Sequence, residues 1–199
     1  VEARFRGQTG GTLWLSTEDN SAPIVTDKGA QCPAEGYFPV NMPASQRVVI
    51  FGAGHISRAL TPLLRMVDFE VTVFDDRPEF AVKEAFPHAE TVLCGSYNTI
   101  EELLPLKDAD FIVVLTSGHS NDFQVLEQVL RREFPYVGVI GSAAKTAAVN
   151  KRLWAAGISK EATDRVHTPI GLAIGAVTPE EIAISITGEL IAVRAQGRN

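Results

Sequence analysis

A glycine-rich turn is the clearest candidate for a binding site in this sequence. Gly52-Ala53-Gly54 follows a continuously apolar run at residues 48–51, and His55, Ile56 and Ser57 open a segment with helical spacing. The turn fits the pattern G-x-G-x-x-G, except that Ser57 stands where the third glycine is usual. Such a turn lets a phosphate approach the N–H groups of a helix N-terminus, whose partial charge is positive. We therefore predict that Gly52, Ala53, Gly54, His55 and Ile56 bind a phosphate; the alternative is a turn that only joins strand to helix.

An acid stands where the ribose of a nucleotide would be bound. Asp75 lies 23 residues after Gly52, at the end of the next apolar run. A carboxylate there binds a ribose hydroxyl and repels a 2′-phosphate, which favours NAD over NADP if the ligand is a dinucleotide. Arg77 is a candidate to bind the polar rim of the ligand. The alternative is that Asp75 and Asp76 cap the following turn and that Arg77 pairs with them.

A second group of candidate residues follows the apolar run at residues 111–116. Gly118 and His119 belong to the loop after this run, and Asp122 stands at the start of the next helix. Ligands of open parallel sheets bind at the carboxyl ends of the strands, so these residues are placed to reach the ligand of the glycine turn. Asp122 can orient His119 or bind a polar group of the ligand.

A third small-residue turn, Gly141-Ser142-Ala143-Ala144-Lys145, follows the run at residues 136–140 and also opens a helix. Its backbone and the side chains of Ser142 and Lys145 make another candidate anion site, with Gly141 at its start. An equally simple interpretation is a strand-to-helix connection with a solvated lysine.

Histidines in three separate loops, His55, His119 and His167, are expected near the same edge of the sheet. A metal site made of His55, His119 and Cys94 lacks any local H-x-x-H or C-x-x-C spacing. Isolated loop histidines usually form hydrogen bonds or are exposed. We predict no metal and expect His55 and His119 to donate hydrogen bonds to the ligand.

Composition excludes several classes of function. The chain of 199 residues is 45% hydrophobic and carries a formal charge of −6 without a run of basic residues, which argues against a nucleic-acid surface. Its aliphatic runs are far shorter than the ~20 residues that cross a bilayer. The two cysteines, Cys32 and Cys94, fit a reducing compartment, so we expect a cytoplasmic protein without a membrane partner.

Two regions of different composition position these residues. Residues 1–45 are rich in Gly, Pro, Ser, Thr and Asn and are predicted to be a short β-containing remnant of an N-terminal domain with a linker. Residues 46–199 alternate short apolar runs with helical spacing, which predicts an α/β, Rossmann-like, doubly wound and mainly parallel sheet. The chain begins at Val1 without a methionine, so we expect a fragment or a processed chain.

The last helix has the clearest start signal in the sequence. Thr178 is the predicted N-cap, Pro179 the first helical residue, and Glu181 completes a capping box. Among the aromatic residues, Phe86 and Trp154 are predicted to lie in the core.

Five separated motifs resemble the C-terminal Rossmann domain of the XdhC/CoxI family of xanthine dehydrogenase accessory proteins. The motifs lie at residues 51–55, at 75–81, at 116–119 with Asp122, at 136–142, and at 167–172 leading into 178–183. The resemblance covers about residues 36 to 196. It departs from the family pattern after Ser142, where the family usually has basic residues and this chain has Ala143-Ala144 and keeps only Lys145.

The resemblance implies a maturation factor that binds molybdenum cofactor, a pterin carrying a phosphate, and delivers it to a xanthine dehydrogenase-type molybdenum hydroxylase. It also implies a cysteine desulfurase as a further partner, and a homodimer. The chain lacks iron–sulfur cysteine clusters and is too short to be such a hydroxylase itself. Catalysis is not required for this role.

Two other functions stay open at this point. One is an NAD(H)-dependent oxidoreductase in which His119 donates a proton and Asp122 orients it. The other is a nucleotide-sensing domain that docks on a partner enzyme.

Overall fold

The computed structural model describes residues 11–17, 22–27, 30–42 and 45–196. The chain divides into two compact units, Val1–Gln46 and Arg47–Asn199. The described residues contain no helix with the length and apolar character needed to cross a membrane.

The first unit contains an antiparallel sheet of three strands in the order β2-β1-β3. The strands are β1 (Gly11–Ser16), β2 (Ile24–Asp27) and β3 (Tyr37–Met42). Trp14 is buried, and its indole N–H donates a hydrogen bond of 2.9 Å to the Thr26 hydroxyl. This bond fixes the indole and joins the first two strands.

The second unit is built on a five-stranded sheet in the order β6-β5-β4-β7-β8. Its strands are β4 (Gln46–Phe51), β5 (Phe69–Asp75), β6 (Thr91–Cys94), β7 (Phe111–Val114) and β8 (Tyr136–Val139). Its helices are α1 (His55–Met66), α2 (Ile100–Leu103), α3 (His119–Val129), α4 (Ala143–Ala155), α5 (Lys160–Asp164) and α6 (Pro179–Gln196), with a short 3₁₀ turn at Lys83–Ala85. The predicted Rossmann-like α/β fold, with antiparallel strands near the N-terminus, is confirmed.

The sheet is buried on both faces, which explains why its strands are apolar throughout. All residues of β4 from Val48 to Phe51 are fully buried. One face packs against α1 and α6, and the other against α2, α3 and α4. The helices that follow β4 and its neighbour β7 therefore pack on opposite faces of the sheet.

The capping box of α6 forms as predicted. The Thr178 N–H donates to the Glu181 carboxylate at 3.0 Å, and the Glu181 N–H donates to the Thr178 hydroxyl at 3.2 Å. Backbone N–H bonds from Val177 and Thr178 hold the pKa of Glu181 below its usual range.

The prediction for the two aromatic residues is half right. Phe86 lies in the core, whereas Trp154 is 44% exposed. The indole N–H of Trp154 donates to the Thr163 hydroxyl, so the ring is fixed at the surface of α4. This hydrogen bond satisfies the indole N–H at the surface, so the ring does not have to be buried in the core.

Candidate functional site

The carboxyl ends of β4 and β7 form the point where the strand order of the sheet reverses. These strands are neighbours in the sheet, and the helices that follow them, α1 and α3, pack on opposite faces. In open α/β folds such a reversal point is where ligands bind, just outside the carboxyl ends of the strands, and this position is called the crevice below. The glycine turn after β4 and the loop after β7 border the crevice.

Gly52 is required by packing inside the protein. Its φ is +109°, and a Cβ atom there would lie 2.4 Å from the carbonyl oxygen of Leu115. Ser57, in place of the third glycine, is fully buried, and its hydroxyl donates to the Gly52 carbonyl at 2.5 Å. The serine therefore stabilises the turn from within.

Gly54 is not required by packing inside the protein. It has an ordinary φ of −81°, and no described atom lies within 4 Å of the position a Cβ would take. The same open space surrounds Gly118, although its φ of +123° itself favours glycine. The two glycines leave the backbone on both sides of the crevice accessible.

The helices that begin at these glycines lack side-chain caps. Within the described residues, no side chain accepts a hydrogen bond at the N-cap of α1 or of α3. By contrast, Ser142, Ser159 and Thr178 cap α4, α5 and α6. The N–H groups of the first turn of a helix have no acceptor inside the helix, so those of α1 and α3 are left without a side-chain acceptor at the N-cap.

The Asp75 carboxylate is fully buried and bound within the chain. Its Oδ2 accepts from the Ala53 N–H at 2.6 Å and from the Arg77 guanidinium at 2.8 Å. Its Oδ1 accepts from the Arg77 N–H and from Nε of the same residue, both at 2.9 Å. The carboxylate thus ties the glycine turn to the end of β5, and a ribose hydroxyl would have to displace one of these donors.

These bonds decide the charge state of Asp75. Burial by itself raises the pKa of the carboxyl, but the hydrogen bonds from Arg77 and Ala53 and the charge of Arg77 together hold it below its usual range. Burial and the adjacent charge of Asp75 raise the pKa of Asp76. The Arg77 guanidinium also lies 4.0 Å from the centre of the Phe80 ring, so it is held on two sides.

Asp122 joins the second and third candidate turns. It is fully buried, and its Oδ1 accepts from the Thr116 hydroxyl at 2.5 Å. Lys145 Nζ lies 2.6 Å from Oδ2, in ion-pair contact rather than in the geometry of a directed hydrogen bond. The side chain of His119 lies outside the described residues, so its orientation by Asp122 stays a prediction.

The polar groups of Ser142 and Lys145 in the third turn have partners within the chain. The Ser142 hydroxyl accepts from the Lys145 N–H at 3.3 Å, and the Lys145 ammonium is paired with Asp122. Gly141 lies against the Lys145 side chain, where a Cβ would come within 3.0 Å of its Cδ. An anion at this turn would compete with the cap and with the ion pair.

His55 and His167 lie in different surroundings, and the side chain of His119 lies outside the described residues. His55, the first residue of α1, lines a groove of about 450 Å³ between α1 and α6 together with Arg58 and Glu180. His167 lies beside β8, where its ring stacks on Tyr136 with centroids 4.6 Å apart. Among the described residues, no group of three or more His, Cys, Asp or Glu side chains could hold a metal ion.

Glu189 is a partly buried polar centre that the sequence pattern did not indicate. It accepts hydrogen bonds from the Tyr136 hydroxyl and, at 2.9 Å, from the Gly171 N–H, and it lies 3.1 Å from His167 Nδ1. A signal was present, because Glu189 is an acid on the otherwise apolar face of α6. By contrast, nothing in the sequence pattern indicated that the Thr116 hydroxyl would donate a hydrogen bond to Asp122.

The comparisons with known proteins agree with this geometry. The family model for the XdhC Rossmann domain matches residues 48–190. The chain is 31% identical over 149 residues to the uncharacterised protein YqeB of Escherichia coli K12, covering 74% of this chain and 27% of that protein. It is 31% identical over 148 residues to a probable xanthine dehydrogenase subunit of Bacillus subtilis 168, covering 74% of this chain and 43% of that protein.

A solved structure shows the same fold over nearly the whole chain. The crystal structure of a xanthine dehydrogenase from Bacillus halodurans matches with a TM-score of 0.76 and 25% identity, over 96% of this chain and 61% of that one. The chain thus spans less than half the length of both curated relatives. Because the family model covers well over half of its residues, this chain belongs to the XdhC family.

Proposed function

We propose that this chain binds molybdenum cofactor through its phosphate and serves the maturation of a xanthine dehydrogenase-type molybdenum hydroxylase. The observation that carries the proposal is the pair of uncapped helix N-termini, at Gly54 and Gly118, beside the crevice between β4 and β7. A phosphate needs accessible backbone N–H groups and room to approach them, and these glycines supply both.

The charges around the crevice also fit a phosphate. Two buried carboxylates, Asp75 and Asp122, would repel an anion if they were bare, but each is paired with a cation of the chain. The helix N-termini then supply the local positive potential. The chain's own residues bind and orient the ligand, whereas the redox chemistry of the bound cofactor belongs to the client enzyme.

Family membership supports the choice of client. The names of two matched proteins contain xanthine dehydrogenase, and we propose an enzyme of that type as the recipient. A cysteine desulfurase as a further partner and a cytoplasmic location stay predictions. The two free, exposed cysteines, Cys32 and Cys94, fit a reducing compartment.

We propose in addition that two copies pair through the outer side of α6. Ile186 and Leu190 of this helix are buried in the core, whereas Ile184 is 55% exposed and Ile191 is 38% exposed. A helix that is apolar on both sides is expected to be covered on both sides. Leu172, which is exposed and lies against Gly188 of α6, extends this apolar surface, and Ile174 and Val177 in the segment before the helix are also exposed.

The strand order of the sheet is also the one that binds dinucleotides, which keeps an NAD(H)-dependent oxidoreductase as the second candidate. The engaged Asp75 carboxylate weighs against it, since a ribose hydroxyl finds no unoccupied acceptor there without displacing a donor. A nucleotide-sensing domain would share the phosphate site but would show no affinity for a pterin.

Equilibrium binding of purified molybdenum cofactor and of NADH tests the proposal. A Gly54→Ala variant should keep the melting temperature, because the methyl group has room, and should lose affinity for the cofactor by about tenfold or more, equivalent to about 1.4 kcal/mol. Gly52→Ala is the contrasting variant, since its methyl group meets the Leu115 carbonyl and should lower the melting temperature as well.

The outcomes separate the candidates. If wild type and Gly54→Ala bind the cofactor with equal affinity, the phosphate does not bind at the glycine turn. Tight binding of NADH with hydride transfer, and none of the cofactor, would replace the proposal by the oxidoreductase.

A further inference from the structure

A second groove, separate from the crevice, runs along one face of α4. It has a volume of about 330 Å³, which lies in the range of small-molecule sites. Its lining consists of Thr146, Ala147, Asn150, Lys151 and Trp154 from α4, and of Thr168 and Pro169 from the segment beside β8. None of these residues belongs to the glycine turn or to the loop after β7.

Trp154 gives this groove a fixed aromatic surface. Its indole N–H donates to the Thr163 hydroxyl at 3.1 Å, and that hydroxyl donates to the Lys160 carbonyl at 2.8 Å. Thr163 is buried, so this relay holds the ring in one orientation while 44% of the residue stays exposed. A ring held in this way can stack on a flat ligand with little loss of side-chain entropy.

The side-chain amide of Asn150 provides a hydrogen-bond donor and an acceptor next to the Trp154 ring. It stands four residues before Trp154, so the two side chains are neighbours on the helix at about 5–6 Å between their Cβ atoms. No hydrogen-bond partner of its amide occurs within the part of the chain that the structure describes.

We infer that the α4 groove binds a flat nitrogen heterocycle with a hydrogen-bond donor next to an acceptor on one edge. The Asn150 amide offers the complementary pair, as an asparagine does toward the edge of adenine. Trp154 stacks on the ring, and the exposed ammonium of Lys151 meets a negative substituent. Pterins and purines share this chemistry. The inference goes beyond the proposed function, because it does not use the phosphate site.

Isothermal titration of the wild-type chain with 6-carboxypterin and with guanosine tests this inference and distinguishes the two sources. Neither probe carries a phosphate, and the Gly54→Ala variant tests whether the glycine turn contributes to binding of the carboxylate of 6-carboxypterin. Trp154→Ala and Asn150→Ala should each weaken binding of the preferred probe by roughly tenfold, as expected for the loss of one stacking or paired contact. Trp154→Phe should retain most of the affinity.

Two controls make the result independent of folding and of the proposed function. Asn98→Ala removes an exposed asparagine outside the groove and should leave binding unchanged. Gly54→Ala should also bind the probes as wild type does, whatever its effect on the cofactor. No binding of either probe by wild type, or unchanged affinity in both Trp154→Ala and Asn150→Ala, overturns the inference.

Discussion

At the scale of single residues, the glycine turn depends on one carboxylate. Asp75 accepts four hydrogen bonds, one from Ala53 in the turn and three from Arg77. Asp122 plays a similar part between α3 and α4, with Thr116 and Lys145 as its partners. The four bonds of Asp75 fix the local geometry of the turn, whereas Oδ2 of Asp122 is held by the Lys145 ammonium in ion-pair contact alone.

The Asp75→Asn substitution should therefore destabilise the protein at neutral pH by about 1–3 kcal/mol, because the amide keeps only one acceptor oxygen, so two of the four donors lose their acceptor and Arg77 loses its ion pair. The depressed pKa of Asp75 means that its contribution is present above about pH 4, the ordinary range of an aspartate, and is lost as the pH falls through the folded-state value. Urea unfolding at pH 3 to 7 measures this.

The difference between wild type and Asp75→Asn should narrow as the solution becomes acidic, and a difference that stays constant down to pH 3 would contradict the assignment. Asp76→Asn is the matched control. Burial and the neighbouring Asp75 charge raise the pKa of Asp76, so neutralising it should not destabilise the protein at neutral pH.

At the scale of elements, α6 is anchored at its N-cap, Thr178. Thr178→Ala removes the acceptor for the Glu181 N–H and should lower the free energy of unfolding by about 1 kcal/mol. Thr178→Ser keeps the hydroxyl, so its free energy of unfolding should be close to that of wild type. Chemical denaturation of the three proteins checks this, and equal stability of Thr178→Ala and wild type would show that the cap contributes nothing.

The sequence predicts elements well where the signal is local. The turn at Gly52-Ala53-Gly54 and the capping box at Thr178 each lie within a few residues, and both form as predicted. The partners of Asp122 and Glu189 could not be predicted in the same way, because Lys145 and Tyr136 lie 23 and 53 residues away. Such pairs depend on how helices pack on the sheet.

The environment of Trp154 shows the same limit for an apolar residue. Helical spacing predicts which face of α4 turns toward the sheet, but the indole lies at the border of that face, where the Thr163 hydroxyl can reach it. Whether such a residue is enclosed depends on α5 and on the segment beside β8. For this reason the groove beside Trp154 could not be predicted from the sequence.

At the scale of the whole molecule, the outer side of α6 predicts self-association. Ile184→Asp combined with Ile191→Asp should shift a dimer to monomers in sedimentation experiments, because two charges replace apolar area that a second copy would bury. Leu103→Asp is the matched control, since this exposed leucine lies on α2 at the opposite face of the sheet. A dimer that survives the double substitution would place the contact elsewhere.

The bonds of Asp75 have a kinetic consequence. In the proposed phosphate site, the carboxylate already fixes the Ala53 N–H and the end of β5, so a phosphate that binds at the glycine turn meets backbone that needs no further ordering. Capture should then be fast, and the lifetime of the complex should set how long the ligand stays. A recipient enzyme would act on that lifetime, by accelerating release, rather than on the step of loading.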